Sequence, residues 1–294
     1  PNSSDFRKDE GEAAKNFNAF IGSVSTSSNA SRMSITELLG DQGVEKANRQ
    51  INLKLDGITA RTTVWFYYRN ADQSVVRATG AEEEAPLARQ DTYRATTTPS
   101  ADKKSYIYGN DSVRGKLSET HFAGEQNAEK VDYILNFKSG GRDVKNFQVF
   151  FYGPGHSRAA DGVNVNEDTA LSVQRSFRMK PGMTTLPNLD KSRFTFADTG
   201  YSSLNKLFNL QSETYFSGTE AGAEKSLYQL NYKTNGDLRT KTVFLYGAGH
   251  LTADDKLVTE DTPLRQQVTY RYTGIQPNSS DFRKDEGEAA KNFN

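Results

Sequence analysis

The sequence predicts an all-β protein made of three homologous domains in tandem, and three observations carry that expectation. Apolar and polar residues alternate with period two through its most regular stretches. The same landmarks recur three times in the same order, and sustained helical periodicity is scarce.

The recurring landmarks are specific. Glu-Lys opens EKANRQINLK at Glu45, EKVDYILNFK at Glu129 and EKSLYQLNYK at Glu224. An aromatic-rich run follows each: TVWFYY from Thr63, QVFFYG from Gln148 and TVFLYG from Thr242. Acidic pairs with a leucine close behind come next, at Glu83-Glu84, Glu167-Asp168 and Glu260-Asp261. Six residues past each leucine stands an aromatic followed by arginine, as Tyr93-Arg94, Phe177-Arg178 and Tyr270-Arg271. Four landmarks repeated in order mean three homologous copies.

Within the second copy, Val131, Tyr133, Leu135 and Phe137 fall on one face of a strand, with Lys130, Asp132, Asn136 and Lys138 on the other. The third copy sets Tyr228, Leu230 and Tyr232 against Asn231 and Lys233, and the first sets Ile51, Leu53 and Leu55 against Asn52, Lys54 and Asp56. This is the pattern of a half-buried strand, apolar inward and charged outward. Gly-containing turns at SGGRD (139–143) and TNGD (234–237) lead into the aromatic runs, which predicts hairpins. Val268, Tyr270 and Tyr272 share a face in the last strand. Short strands in this number suit an antiparallel sandwich or an open barrel. The expected fold is three immunoglobulin-like β-sandwich domains in an elongated array, over residues 19–96, 97–184 and 185–276.

Breaker-rich stretches at 96–104 (TTTPSADKK) and 180–191 (KPGMTTLPNLDK) are expected to link the copies. A longer repeat encloses them. Residues 1–18, PNSSDFRKDEGEAAKNFN, recur letter for letter as residues 277–294, a period of 276 residues. The chain therefore reads as one full unit plus the opening of the next, with 1–18 a linker or leading segment of the domain that follows it.

Composition excludes several function classes. Thirty-seven basic residues balance 37 acidic ones, which argues against sequence-blind nucleic-acid binding. No cysteine is present, which removes disulfides, thiolate metal sites and thiol nucleophiles. No apolar run approaches the roughly 20 residues of a membrane-spanning helix, so no direct membrane insertion is expected.

Each candidate site has a plainer reading that the pattern favours. His156 and His250 follow Gly-x-Gly at equivalent places without a second recurring histidine, which points to loop packing. The acidic pairs lack the concentrated oxygen ligands of a calcium loop and read as charges guarding strand ends. Lys54, Lys138 and Lys233 recur, but on the polar side of the alternation, which suits solvated faces rather than a desolvated amine poised for an isopeptide bond. Trp65 stands where Phe150 and Phe244 stand and is expected in the core. Tyr67-Tyr68, Tyr106-Tyr108 and Tyr270-Tyr272 offer aromatic area for a sugar or a protein, although most fit inward positions. No catalytic, cofactor-binding or metal-ligating residue is assigned.

Long near-identical repeats, absent cysteine, all-β copies and Thr/Ser/Asn-rich joints resemble the stalk regions of bacterial cell-surface fibrillar adhesins. The resemblance implies a non-enzymatic, extracellular, surface-attached repeat unit whose partners are adjacent repeats of the same chain. The other reading is a module that binds a host glycan or matrix protein multivalently, gaining avidity from repetition.

Overall fold

A computed structural model describes residues 33–57, 59–94, 98–99, 106–107, 115–162, 164–182, 189, 194–196 and 208–272. The duplicated segments 1–18 and 277–294, and the expectation that the first is a leading element, lie outside the described residues.

The first copy supplies β1 (Ser34–Leu39), β2 (Lys46–Leu53), β3 (Ala60–Arg69), a short β4 (Val75–Arg77) and β5 (Leu87–Arg94). Two short strands follow, β6 (Thr98–Pro99) and β7 (Tyr106–Ile107), paired with each other. The second copy supplies β8 (Lys116–Ala123), β9 (Lys130–Phe137), β10 (Val144–Tyr152), the short β11 (Ser157–Arg158) and β12 (Leu171–Met179). The third supplies β13 (Phe208–Ser217), β14 (Lys225–Tyr232), β15 (Leu238–Tyr246) and β16 (Leu264–Arg271).

Apart from β6 and β7, these strands form an antiparallel sheet of 14, hydrogen-bonded in the order β1-β2-β3-β5-β8-β9-β10-β12-β13-β14-β15-β16, with β4 on β3 and β11 on β10. The all-β expectation therefore holds, and each copy gives four strands to one meander. Separate immunoglobulin-like sandwiches were expected, yet the fourth strand of one copy is neighbour to the first strand of the next. Four long strands with one apolar face are too few to close two layers, so each copy meets the next within the sheet instead.

By contact density the described residues fall into two compact units, residues up to Trp65 with those of 92–112, and residues 66–91 with those from 113 onward. In the first unit Ile51, Leu53 and Ala60 are buried with Ile35 packed against them. In the second, Phe147, Val149 and Phe151 of β10, Val173 and Phe177 of β12, and Phe208 and Leu210 of β13 build an aromatic core on one face. Phe147 stacks on Phe177 at 4.9 Å and meets Phe208 edge-on at 5.1 Å. The alternate residues of β10, Asn146 and Gln148, point to the other face, as the pleat requires.

Four expectations need correction. The stretch 180–191 is not merely a linker, because Leu189 lies in the core beside Phe194, and both are covered by the sheet's aromatic residues. Asp132 is buried although the alternation placed it outward. The cause is a β-bulge: His121 faces Tyr133 and Phe122 faces Val131, so Asp132 is the extra residue and is released from the pleat. The same bulge recurs at Asn48 and Leu227. Leu55 is 94% exposed because β2 ends at Leu53 and the chain has already entered the turn. The first expected linker, 96–104, contains β6 rather than unpaired chain at Thr98–Pro99.

Candidate functional site

One feature that recurs with consistent geometry lies where copies meet. Glu129, from the Glu-Lys landmark of the second copy, accepts the Leu87 backbone N–H of the first copy at 2.7 Å. Glu224 does the same for Leu171 at 2.7 Å, so the third copy holds the second in the same way. Its other oxygen accepts the Gly222 N–H at 2.7 Å, and Glu45 accepts the Gly43 N–H at 2.9 Å in the corresponding local turn. Each clasp joins the glutamate landmark of one copy to the leucine landmark of the copy before it.

A glycine fixes each clasp. Gly124 has φ +126°, and a Cβ there would lie 2.7 Å from the Ala128 carbonyl oxygen. At Gly218, φ is +155° and a Cβ would lie 2.9 Å from Cα of Glu224. Only glycine lets the first strand turn this tightly onto the glutamate. Gly40 completes the set, following Ser34-Ile-Thr as Gly124 follows Ser118-Glu-Thr and Gly218 follows Ser212-Glu-Thr. This Ser-x-Thr-x-x-x-Gly landmark was legible in the sequence and is the signal that the four-landmark reading missed.

One residue pair distinguishes the joints. Between the second and third copies, Arg175 of β12 stands opposite Glu213 of β13 and bonds it at 2.7 Å, with both side chains buried. Between the first and second, Asp91 occupies the place of Arg175 and Glu119 that of Glu213. Lys116 bridges these two carboxylates at 2.9 and 2.7 Å, and His121 adds a contact to Glu119. Burial would raise the Glu119 carboxyl, but the hydrogen bonds and charges of His121 and Lys116 outweigh it and hold the group down to about 2. Burial likewise opposes charge on Lys116, and its bonds to Glu119 and Asp91 win, raising its ammonium.

The sign of the pH dependence follows. Above about 4.5 Glu119 is ionised in both states and its contribution is complete; as pH falls from there toward about 2, the unfolded chain takes up a proton that the folded chain refuses, and stability is lost. Urea melts at pH 7, 4 and 2.5 should show Glu119→Gln less stable at pH 7, with the gap to the parent chain narrowing as pH drops. An unchanged gap would mean that this carboxylate is not held low.

The covering segment beyond β12 is tied down by two buried arginines. Arg158 makes a two-pronged bond to Asp132 at 2.8 and 2.7 Å and donates to the carbonyls of Phe194 and Leu189 at 2.9 and 3.2 Å. Arg175 donates to the Phe196 carbonyl at 2.7 Å and lies 4.1 Å from the Phe196 ring. Tyr232 donates a short hydrogen bond to Glu213. The bulge that buries Asp132 thus has a purpose in packing: it gives Arg158 a counter-ion beneath the segment.

The opposite face carries a shallow polar depression lined by Asn146, Gln148, Ser176, Gln211, Asn231 and Arg239, among others. Side-chain amides bond at its rim and floor, with Gln174 donating to Gln148 at 3.0 Å and Asn231 to the Thr240 hydroxyl at 3.2 Å. The first copy has a related pair, Asn52 to Thr62 at 3.0 Å.

The remaining sequence candidates sit as follows. His156 and His250 both occupy left-handed turn positions, with φ of 50° and 51°. His156 bonds the Ser172 hydroxyl at 2.9 Å and lies on the Phe196 ring at 4.1 Å, a packing role. The acidic pairs are exposed, and it is their backbone that works: Lys130 donates to the Glu167 carbonyl, Lys225 to that of Glu260, and Gln126 to that of Glu83. Among the described residues no group of three or more acidic or histidine side chains is placed to hold a metal. Lys54 is exposed, and Lys138 and Lys233 make long 3.9 Å contacts to Asp143 and Asp237. Trp65 is half-buried beneath Arg49, whose guanidinium lies 5.2 Å from its ring. Tyr67 is flanked by Arg77 and Arg89 at 5.5 and 4.2 Å, and Tyr68 is buried. Tyr270 is 37% exposed on β16, with Tyr272 half-buried just beyond, whereas Tyr108 lies outside the described residues.

No protein-family pattern matches this chain, and no curated protein sequence matches it.

Proposed function

We propose that the chain is a non-enzymatic structural repeat unit of a cell-surface adhesin, extracellular and surface-attached, whose copies carry the protein outward as a stalk. The observation behind this reading is the repeated joint, in which each copy clasps the leucine of the one before through its own glutamate. Its buried ion pairs hold structure together: Arg175 with Glu213 ties two copies across a joint, and Arg158 with Asp132 lies under Phe194 and Leu189. Successive strands advance a sheet by about 4.8 Å, so a four-stranded copy would add roughly 19 Å of reach. The expected immunoglobulin-like domains would give a longer reach per copy, at greater cost in independent cores. Antibody raised against the chain should label intact, unpermeabilised cells of the source organism, and protease shaving should remove the label. Labelling only after permeabilisation would end the surface reading.

The polar depression supports a second reading, multivalent binding of a host glycan or matrix protein. Planar amides and an arginine beside Tyr232 are groups that bond sugar hydroxyls. A glycan and matrix-protein array would decide it, with binding lost in Arg239→Ala if the depression is the site.

A further inference from the structure

The two internal joints leave a third one half-built at each end of the sheet. Among the described residues no strand pairs with the outer edge of β1 or of β16. β16 is exposed along nearly its whole length, whereas β12, the same strand of the second copy, is buried or half-buried everywhere but at Arg178. The clasp is also half-present at each end. Glu45 uses Oε2 for Gly43, leaving Oε1 without a partner among the described residues, while Leu264 stands 43% exposed where Leu87 and Leu171 each donate to a glutamate.

We propose that β16 binds β1 of a second copy of this chain, head to tail, in the register of β12 on β13. This goes beyond the stalk reading and holds wherever the protein resides, because it rests on the edges alone. Transferring the observed register places Gln266 opposite Glu37, Gln267 opposite Thr36, Val268 opposite Ile35 and Thr269 opposite Ser34. The Glu45 carboxylate then meets the Leu264 N–H. At the position that separates the joints, the first has Asp91 and Glu119 about Lys116, the second has Arg175 against Glu213, and this third has valine against isoleucine. Three incompatible chemistries at one place give each edge a single correct partner, since an apolar pair rejects an unpaired charge. An interface of this head-to-tail kind leaves one edge free on each associated pair, so it passes from copy to copy until a ring closes. It also answers the hazard of open strand edges by giving each a dedicated partner.

The cysteine-free sequence makes a clean test. Val268→Cys and Ile35→Cys chains, mixed under mild oxidation, should form a disulfide-linked dimer. Gln267→Cys, one residue off and on the opposite face, should not crosslink with Ile35→Cys. In sedimentation, Val268→Arg should weaken self-association about tenfold, and Val268→Arg with Ile35→Glu should recover most of it by recreating the second joint. Circular dichroism checks that each variant folds. The proposal fails if the Gln267→Cys mixture crosslinks equally, if Val268→Cys alone dimerises as readily as the mixture, or if the parent chain stays monomeric at 200 µM. It also fails if Val268→Arg associates like the parent.

Discussion

Arg175→Met is expected to destabilise the fold by about 3–5 kcal/mol, because it leaves a carboxylate stranded in the core. Arg175 is fully buried and Glu213 only 3% exposed, so water cannot reach either charge once the pair is broken. The ring contacts of Arg175 with Phe151 and Phe196, at 5.3 and 4.1 Å, are kept in part by methionine's length. The dominant loss is therefore electrostatic, and removing the second charge should reverse much of it. Arg175→Met with Glu213→Gln keeps an acceptor for the Tyr232 hydroxyl and should recover at least half of the lost stability. Denaturant melts of the parent, the two single variants and the double variant give the coupling directly. A double variant no better than Arg175→Met would show that the pair does not bridge the two copies as described.

Phe194→Ala should cost about 3–5 kcal/mol, the range for deleting a fully buried aromatic ring. Phe194 touches Phe147 at 6.1 Å, Phe177 at 5.3 Å and Phe208 at 5.9 Å, and those three come from strands on both sides of a joint. Its backbone carbonyl is held by Arg158, so the hole cannot close by a simple shift of the segment. A chemical-denaturation midpoint unchanged by Phe194→Ala would return this segment to the status of a surface linker. Phe194 also helps keep the aromatic face of a single sheet layer from water: it packs on that face together with Leu189 and Phe196.

The strands were legible in the sequence because alternation and turn residues are local signals. Ile51 and Leu53, Leu135, and Tyr228 are buried on the faces that period two assigns them. Pairing was not legible, since alternation is the same for a strand in a sandwich and one in a meander. Bulges hid Asp132, because one extra residue shifts every parity argument made across it. The covering segment was hidden by its proline and glycine, which signal a turn whether or not the residues beyond them return to the core. The joints are half-visible in sequence: their glutamate and leucine landmarks stand out as repeats, yet nothing in one copy tells that its glutamate serves the copy before it. The charge at Arg175 and Asp91 varies between copies, and variation at an otherwise repeated place was the available clue.

Successive copies share one sheet, and amide–amide NOEs across a joint report that pairing. In a deuterated sample, NOEs should connect β12 with β13 in the register that sets Val173 opposite Tyr215, Gln174 opposite Thr214 and Ser176 opposite Ser212. The amides of β12 that face β13 should exchange slowly, as interior strands do. Missing NOEs across this boundary, with fast exchange along the facing edges of β12 and β13, would show copies that fold as separate domains and would contradict the shared sheet.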